Sequence, residues 1–165
     1  MQLVEVEVMR LGLDRSTNSY VVILQEKDGE RVLPIWIGPA EASAIAMELQ
    51  GLKPPRPMTH DLLKQIIVGL GAGVGKVVIS SLKDKTYFAE LLLVRDGQIY
   101  QVDARPSDSI ALALRLNAPI FTDASLLEQG SVESSDQPPD PGLDAERLRA
   151  YLEKMDPQDF GKFNP

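Results

Sequence analysis

One segment of this chain occurs twice. Residues 37–49 (IGPAEASAIAMEL) return sixty-seven positions later as residues 104–116 (ARPSDSIALALRL). Each copy follows three strand-like runs and precedes a second helical pattern led by threonine, so the surroundings match as well. The identical pairs are Pro39 and Pro106, Ala44 and Ala111, Ala46 and Ala113, and Leu49 and Leu116. A duplicated unit ordinarily buries its apolar face only against its partner, so we expect both copies in a single folded body.

Runs of β-branched and apolar residues predict three strands in each unit. Residues 3–11 alternate apolar with acidic residues, which is typical of a strand with one buried face. The other predicted strands are 20–25 and 32–37 in the first unit, and 76–82, 86–94 and 98–103 in the second. Asp28-Gly29 and Asp96-Gly97 lie in hairpin connections, where glycine supplies the positive φ of a tight turn.

Proline opens the first predicted helix of each unit, because its missing N–H has no partner in the first turn. The first of these helices covers residues 39–49 and ends before Gly51, and its counterpart begins at Pro106. A second helix is predicted in each unit. In the first unit this helix is capped by Thr59 and ends at Leu70. In the second unit Thr122 or Asp123 is the cap, and the helix runs through Leu126 and Leu127. Six strands and four helices predict an α+β domain.

The domain boundary is predicted near residue 130. Residues 1–130 hold both units, at about 3–70 and 76–130. Residues 131–142 (SVESSDQPPDPG) are acidic and rich in proline, which indicates a flexible linker. Residues 143–165 are expected to form a C-terminal helix and tail, which either docks on the body or contacts a partner.

Composition narrows the classes of function. The chain has 165 residues and a net charge of -7, of which -4 lies beyond residue 130. The acidic body argues against tight non-specific binding of nucleic acid, which depends on basic patches, but it allows brief contact. The absence of cysteine excludes disulfides and zinc-thiolate sites. We expect a cytoplasmic protein without a membrane partner, because no apolar run has spanning length and the N-terminus lacks a signal-peptide pattern.

A glycine-rich run at residues 69–76 (GLGAGVGK) does not match a phosphate-binding loop. Lys76 is followed by valine where such a loop needs serine or threonine. The run also leads from a predicted helix into a strand, the reverse of the order in a phosphate-binding loop. We interpret it as a helix stop and a connector between the units.

Residues 103–109 (DARPSDS) form a polar junction between a predicted strand and a predicted helix. The free N–H groups of the helix start favour an anion there. The junction therefore suggests an anion site with Arg105 as the clamp, or a divalent-metal site on Asp103 and Asp108. The alternative is structural: Asp108 stabilises the helix start, as Glu41 does in the other copy, and Arg105 pairs with a neighbouring acid.

Charged residues of the two copies converge if the copies pack around a pseudo-twofold axis. Glu41 and Glu48 share one side of their helix, and Asp108 and Arg115 occupy the matching positions in the second copy. Such a cluster either holds a metal ion or forms an ion-pair network in which Arg115 neutralises the acids.

His60 is the only histidine, and Asp61 follows it at the start of a predicted helix. A histidine in such a position can act as a general base or as a proton donor to a leaving oxygen. The alternative is a solvent-facing residue at a helix start. Adjacent residues on a helix point apart, so His60 and Asp61 need not contact each other.

Taken together, these segments resemble the bifunctional nuclease domain family. The resemblance rests on LPIWIGPAEASAIA at residues 33–46, RPMTHDLL at 56–63, and DARPSDSIALA with APIF between 103 and 121. It spans about residues 3–130. The family implies two repeats of three strands and two helices that share one barrel-like mixed sheet, which agrees with the duplication.

The resemblance also implies a nuclease, a hydrolase that acts on phosphodiester bonds of RNA and DNA as transient substrates. The candidate residues are His60, Asp61, Arg105 and Asp108 for catalysis, and Glu41, Asp103 and Asp108 as ligands of Mg²⁺ or Mn²⁺. The alternative is a non-catalytic oligomeric module that binds a small anionic ligand or a protein partner. Apolar helices together with Trp36 favour a homo-oligomer, a dimer or larger.

Overall fold

A computed structural model describes residues 1–128 of the chain. This part contains seven strands, three α-helices and one short 3₁₀-helix, which confirms the α+β class. The linker predicted at 131–142 and the helix and tail predicted at 143–165 lie outside the described residues. None of the described helices is long and apolar enough to cross a membrane.

The three strands and two helices predicted for residues 3–70 all form, but Gly29 does not have the positive φ expected of it. Its elements are β1 (Leu3–Asp14), β2 (Ser19–Glu26), β3 (Val32–Ile37), α1 (Pro39–Leu49) and α2 (Thr59–Gly69). Gly51 follows α1 with φ +66°, a left-handed conformation that glycine adopts without strain. Thr59 is the first residue of α2 and not its cap. Met58 occupies the cap position, and its N–H donates to Asp61 Oδ2 at 3.0 Å, so a carboxylate of the first turn satisfies this end of the helix.

The second unit begins in the same order. Its elements are β4 (Gly73–Lys83), β5 (Thr86–Arg95), β6 (Gln98–Ala104) and α3 (Pro106–Leu116). The glycine-rich run supplies the end of α2 and the connection, with Gly71 at φ +74°. It also supplies the first residues of β4, which begins three residues earlier than predicted.

The second unit differs from prediction at its end. No α-helix follows α3 within the described residues. Strand β7 (Ile120–Asp123) and the 3₁₀-helix Ala124–Leu126 occupy the place of the predicted fourth helix. Thr122 therefore lies in a strand, while Asp123 caps the 3₁₀-helix by accepting the Ser125 N–H at 2.9 Å. The β-branched and aromatic residues of β7 pair on both sides, and this pairing outweighs the capping preference of Thr122 on which the helix prediction rested.

Strand β7 joins the two units into one sheet. It pairs antiparallel with β1 and parallel with β4, so the strand order is β3-β2-β1-β7-β4-β5-β6. The sheet is therefore mixed, as predicted. Its edge strands are β3 and β6, one from each unit, and the described residues contain no pairing between them that would close a barrel.

The core lies between this sheet and the helices α1 and α3, which pack against each other. The buried residues of the two helices are mostly small, which lets the backbones approach closely. They include Ala42, Ala44, Ile45 and Ala46 in α1, and Ile110, Ala111, Leu112 and Ala113 in α3. α2 packs on α3 but buries no residue completely. This packing brings the first turns of all three helices to one place.

Candidate functional site

His60 and Asp108 meet where α2 packs on α3. His60 is the second residue of α2, and Asp108 lies in the first turn of α3. His60 Nε2 is 2.9 Å from Asp108 Oδ1. The imidazole is only 12% exposed, so the solvent-facing alternative is wrong. A carboxylate bound to one ring nitrogen orients the imidazole and leaves its other nitrogen free to exchange a proton.

Arg105 joins Asp108 to Glu41. Its Nε and Nη2 donate to the two oxygens of Asp108 at 2.7 and 3.1 Å, and its Nη1 lies 2.9 Å from Glu41 Oε1. Arg105 occupies the cap position of α3, while Glu41 lies in the first turn of α1. The guanidinium is nevertheless 64% exposed. The contacts with these two acids use three of its five N–H groups, so the outer side can bind an anion.

Asp61 follows His60 in the chain but has a different partner. Arg115 Nε donates to Asp61 Oδ1 at 2.8 Å. The remaining guanidinium nitrogens donate to the carbonyl oxygens of Ala111 and Ala44, at 3.0 Å each. The Arg115 side chain is 4% exposed, so this guanidinium is a buried tie between α2, α3 and α1. The geometry fits the ion-pair interpretation of Arg115.

Both carboxylates of the α2–α3 contact are ionised. Burial opposes ionisation of Asp108, but hydrogen bonds from Arg105 and His60 outweigh burial and hold its pKa below the usual 3.8. Burial also opposes ionisation of Asp61, and the hydrogen bond from Arg115 is the main contact that keeps its pKa low. The hydrogen bond to Asp108 raises the pKa of Arg105. The site thus holds fixed charges of both signs beside the imidazole.

Two cavities adjoin at this cluster. The first has a volume of about 240 Å³ and is lined by Glu41, His60, Arg105 and Asp108, among others. The second has a volume of about 250 Å³, and Glu41 and Arg105 line it as well. An oriented imidazole and an exposed guanidinium in one cavity can together move a proton and stabilise an anion.

Two residues of the predicted clusters lie apart from this site. Asp103 is exposed on β6, in register with Glu90 of β5, and lines neither cavity. Glu48 is exposed near the end of α1, about two turns from the first turn that holds Glu41. Within residues 1–128, no three His, Cys, Asp or Glu side chains are grouped closely enough to hold a metal ion.

Sequence reasoning missed the partners that tertiary packing supplies. Of its two interpretations, the ion-pair network paired Arg115 with the acids of α1 and α3, whereas the acid bound is Asp61 of α2. These two residues are 54 positions apart, and no spacing rule connects them. It also missed Trp36 and Lys85 as cavity residues. The one available signal was the position of Trp36 two residues before the glycine that leads into α1.

A protein-family model described as the bifunctional nuclease domain matches residues 22–135 of this chain. Two uncharacterised proteins of Mycobacterium tuberculosis, from strains CDC 1551 and H37Rv, are each 39% identical over 162 residues. These matches cover 94% of this chain and 97% of the mycobacterial proteins.

Plant proteins match over a shorter part of their length. Bifunctional nuclease 1 of Oryza sativa subsp. japonica is 27% identical over 114 residues, which cover 67% of this chain and 34% of the rice protein. Bifunctional nuclease 2 of the same plant is 29% identical over 127 residues, which cover 74% of this chain and 39% of the rice protein.

Proposed function

This chain belongs to the bifunctional nuclease domain family, and on that basis we propose that it hydrolyses phosphodiester bonds in RNA and DNA. The names of the plant relatives support this class of reaction. The observation that carries the proposal in this chain is the hydrogen bond between His60 and Asp108, beside the exposed guanidinium of Arg105. Attack of water on a phosphodiester needs a proton acceptor and a cation near the phosphate.

In the proposed reaction, His60 is the general base. Its Nε2 is bound to Asp108, so Nδ1 takes a proton from the attacking water. The water oxygen bonds to phosphorus, and the bond from phosphorus to the leaving sugar oxygen breaks. The leaving oxygen takes a proton from solvent, and the imidazolium later returns its own proton to solvent. Asp108 stabilises the imidazolium in the interval.

Arg105 stabilises the charge that develops on the phosphate oxygens. Its contacts with Glu41 and Asp108 hold the guanidinium in one orientation before substrate binds. The N–H groups not used by these acids then donate to the non-bridging oxygens of the phosphate. A cation fixed in advance is effective because it does not have to reorganise during the reaction.

Asp61 and Arg115 are proposed to position the site and not to react. Arg115 is buried and ties α2 to α1 and α3 through its contacts with Asp61 and two backbone carbonyls. His60 lies on α2 and Asp108 lies on α3. The tie between these helices therefore determines the distance between the imidazole and the carboxylate that orients it. We therefore propose a positioning role for Asp61, in place of the catalytic role expected from the sequence.

The residues do not fit the divalent-metal site expected from the sequence. Mg²⁺ and Mn²⁺ take oxygen ligands, and the expected ligands were Glu41, Asp103 and Asp108. Arg105 already lies between Glu41 and Asp108 as their shared cation, and Asp103 lies apart on β6. No step of the proposed reaction is assigned to a metal ion.

The function is tested by cleavage of labelled RNA and single-stranded DNA, with EDTA and with added Mg²⁺ or Mn²⁺. Wild-type protein is expected to cleave in EDTA, and His60→Ala to lose about 100-fold or more of the rate. Met9→Ala, on the exposed surface of β1, is the matched control and is expected to keep full activity.

Three results of this assay would change the proposal. Equal activity in wild type and His60→Ala would point to a contaminant and reject the site. Activity lost in EDTA and restored by Mg²⁺ or Mn²⁺ would reject the metal-free reaction. No cleavage under any condition, with inorganic phosphate still bound in an Arg105-dependent way, would favour the alternative of a non-catalytic module for a small anion.

We also propose that the protein assembles as a homo-oligomer. α2 and its C-cap residue carry apolar side chains that are exposed in a single chain, among them Leu62, Ile66 and the C-cap Leu70. Contiguous exposed apolar surface of this kind marks interaction sites in soluble proteins. Light scattering during size-exclusion chromatography tests the proposal, and a monomeric mass across micromolar concentrations would reject it.

A further inference from the structure

Trp36 is exposed beside the candidate site. It lies on the edge strand β3, and the tryptophan is 53% exposed while its neighbour Ile35 is buried. The indole N–H donates to Asp14 Oδ2 at 3.0 Å, so the ring is held in one orientation. An exposed aromatic ring fixed in this way is suited to stack on a planar ligand.

The second cavity connects Trp36 to the site. Its volume of about 250 Å³ is below the range of about 300–1,000 Å³ typical of drug-sized ligands, so it suits one nucleotide unit. Glu41 and Arg105 line this cavity as well as the cavity of His60. Lys85, in the turn between β4 and β5, also lines it and makes no hydrogen bond or ion pair with the described residues.

We propose that the second cavity binds one nucleotide of a single strand, with its base stacked on Trp36 and a phosphate bound to Lys85. The neighbouring phosphodiester then lies at Arg105 and His60. The proposal rests on the proposed nuclease function, because it names the substrate of that site. A duplex does not fit this arrangement, since its bases are stacked on one another and cannot reach the ring.

Binding without turnover tests this subsite. His60→Ala protein is titrated with a fluorescently labelled single-stranded oligothymidylate, and anisotropy reports the affinity. Trp36→Leu is expected to weaken binding by roughly 5-fold to 100-fold, the range that loss of one stacked base gives. Trp36→Phe keeps a ring and is expected to stay within a few-fold, and Met9→Ala, equally exposed at 52%, is the neutral control.

Two further readouts use features of the chain itself. Trp36 is its only tryptophan, so stacking is expected to quench the intrinsic fluorescence of the protein. Lys85→Gln is expected to reduce the salt dependence of binding by the equivalent of one phosphate contact, a slope change of about 0.7 for a single strand. Both readouts are independent of catalysis.

The outcomes separate the subsite from the nuclease function. Unchanged affinity in Trp36→Leu, with hydrolysis intact in the wild type, would overturn the subsite and leave the nuclease proposal standing. Equal affinity for a duplex of the same length would also overturn it. If the wild-type protein, in which His60 is intact, neither binds the oligothymidylate nor hydrolyses RNA or single-stranded DNA, the nuclease proposal and the subsite are both rejected.

A second inference comes independently from the edge strand β6. All of its residues except Ala104 are exposed, and Ile99 is 69% exposed. The strand contains no proline or lysine, the residues that commonly block pairing at a sheet edge. The opposite edge strand, β3, contains Pro34 and is bridged by Glu128 at Val32. Of the two strands at the ends of the sheet order, only β6 therefore presents an unprotected edge.

The backbone of β6 specifies one register for pairing with itself. Asp96 and Gly97 form a two-residue turn with positive φ values, so Arg95 and Gln98 close the hairpin as a hydrogen-bonded pair. Hydrogen-bonded and non-hydrogen-bonded pairs alternate along an antiparallel ladder. The backbone N–H and C=O groups of Ile99, Gln101 and Asp103 therefore point away from β5, and Gln101 is the middle residue of these three.

We infer that two copies of this chain pair antiparallel through β6, with Gln101 opposite Gln101 of the second copy. This register pairs all three outward residues and places Asp103 of each copy opposite Ile99 of the other. The two copies of Asp103 are therefore apart, whereas a parallel pairing would place them side by side. The pairing extends the sheet of each copy across a twofold axis.

A single cysteine tests this pairing, because the chain has none of its own. Gln101→Cys is expected to give a covalent dimer under mild oxidation, since directly opposed Cα atoms lie within disulfide reach. The control Met9→Cys is not expected to cross-link. Gln101→Pro removes an N–H that faces outward, so it is expected to halve the mass that light scattering gives for the wild-type assembly, without unfolding the chain. An assembly mass unchanged by Gln101→Pro, or no cross-link in Gln101→Cys at concentrations where the protein self-associates, would overturn the inference, as would a monomeric wild type.

Discussion

Asp108 and Arg115 lie two helical turns apart on one face of α3, and they bind two consecutive residues of α2. Asp108 Oδ1 is 2.9 Å from His60 Nε2, and Arg115 Nε is 2.8 Å from Asp61 Oδ1. One packing of α2 on α3 therefore produces both contacts. The more exposed contact carries the proposed chemistry, and the more buried contact holds the two helices together.

Replacement of Arg115 tests this division. Arg115→Met leaves the ionised Asp61 without its cation and takes a second donor from the helical carbonyls of Ala44 and Ala111, so we expect the free energy of unfolding to fall by about 3 kcal/mol. Urea denaturation measures this change, and Arg10→Met on exposed β1 is a control expected to stay within about 0.5 kcal/mol. In a double-mutant cycle with Asp61→Asn, a coupling energy near zero would contradict the ion pair.

Stability is expected to depend on pH in the acid range. The folded-state pKa values of Asp61 and Asp108 lie below their usual 3.8, because contacts with cations outweigh burial. Such groups add stability above their unfolded pKa of about 3.9, and this stability is lost as the pH falls through the lower folded pKa.

Urea unfolding between pH 6 and pH 2.5 measures this dependence. The free energy of unfolding is expected to stay level down to about pH 5 and then fall. Asp61→Asn is expected to flatten part of the fall, since its amide does not titrate. A profile in Asp61→Asn that is parallel to that of the wild type throughout would contradict a low pKa for Asp61.

Ser109 is a buried polar position with a simple expected outcome. Its hydroxyl is fully buried and has no hydrogen-bond partner among residues 1–128. The matching residue of the first copy is Ala42, which is buried in the same way. Ser109→Ala is therefore expected to stabilise the protein by about 1 kcal/mol, because it removes an unsatisfied group without loss of packing. Loss of stability in thermal unfolding would show that the hydroxyl has a partner.

Local patterns predicted most of the fold. Period-two alternation and β-branched runs located six strands, and Pro39 and Pro106 marked the starts of α1 and α3. Of the two Asp-Gly turns, Gly97 has the expected positive φ and Gly29 does not. The pattern failed at β7, whose last two residues, Thr122 and Asp123, were taken as alternative caps of a helix through Leu126 and Leu127. A strand as short as β7 forms because β1 and β4 pair with it on both sides, and such support is not encoded in the segment itself.

The candidate site was predictable as a set of residues but not as a set of contacts. The sequence singled out His60, Arg105 and Asp108, and the structure brings them together. It grouped Asp103 with them only because Asp103 is nearby in the chain. Contacts between α2 and α3 depend on the packing of three helices on one sheet, which residue spacing does not specify.

The most direct measurement is the rate of single-stranded RNA cleavage by Asp108→Asn, compared with Asp61→Asn at the same folded fraction. If Asp108 orients His60 and stabilises its imidazolium, Asp108→Asn is expected to lower kcat by about 100-fold or more with little change in KM. Asp61→Asn is expected to lower stability more than kcat. Wild-type kcat in Asp108→Asn, or a greater loss in Asp61→Asn, would contradict the assignment of the reaction to the His60–Asp108 pair.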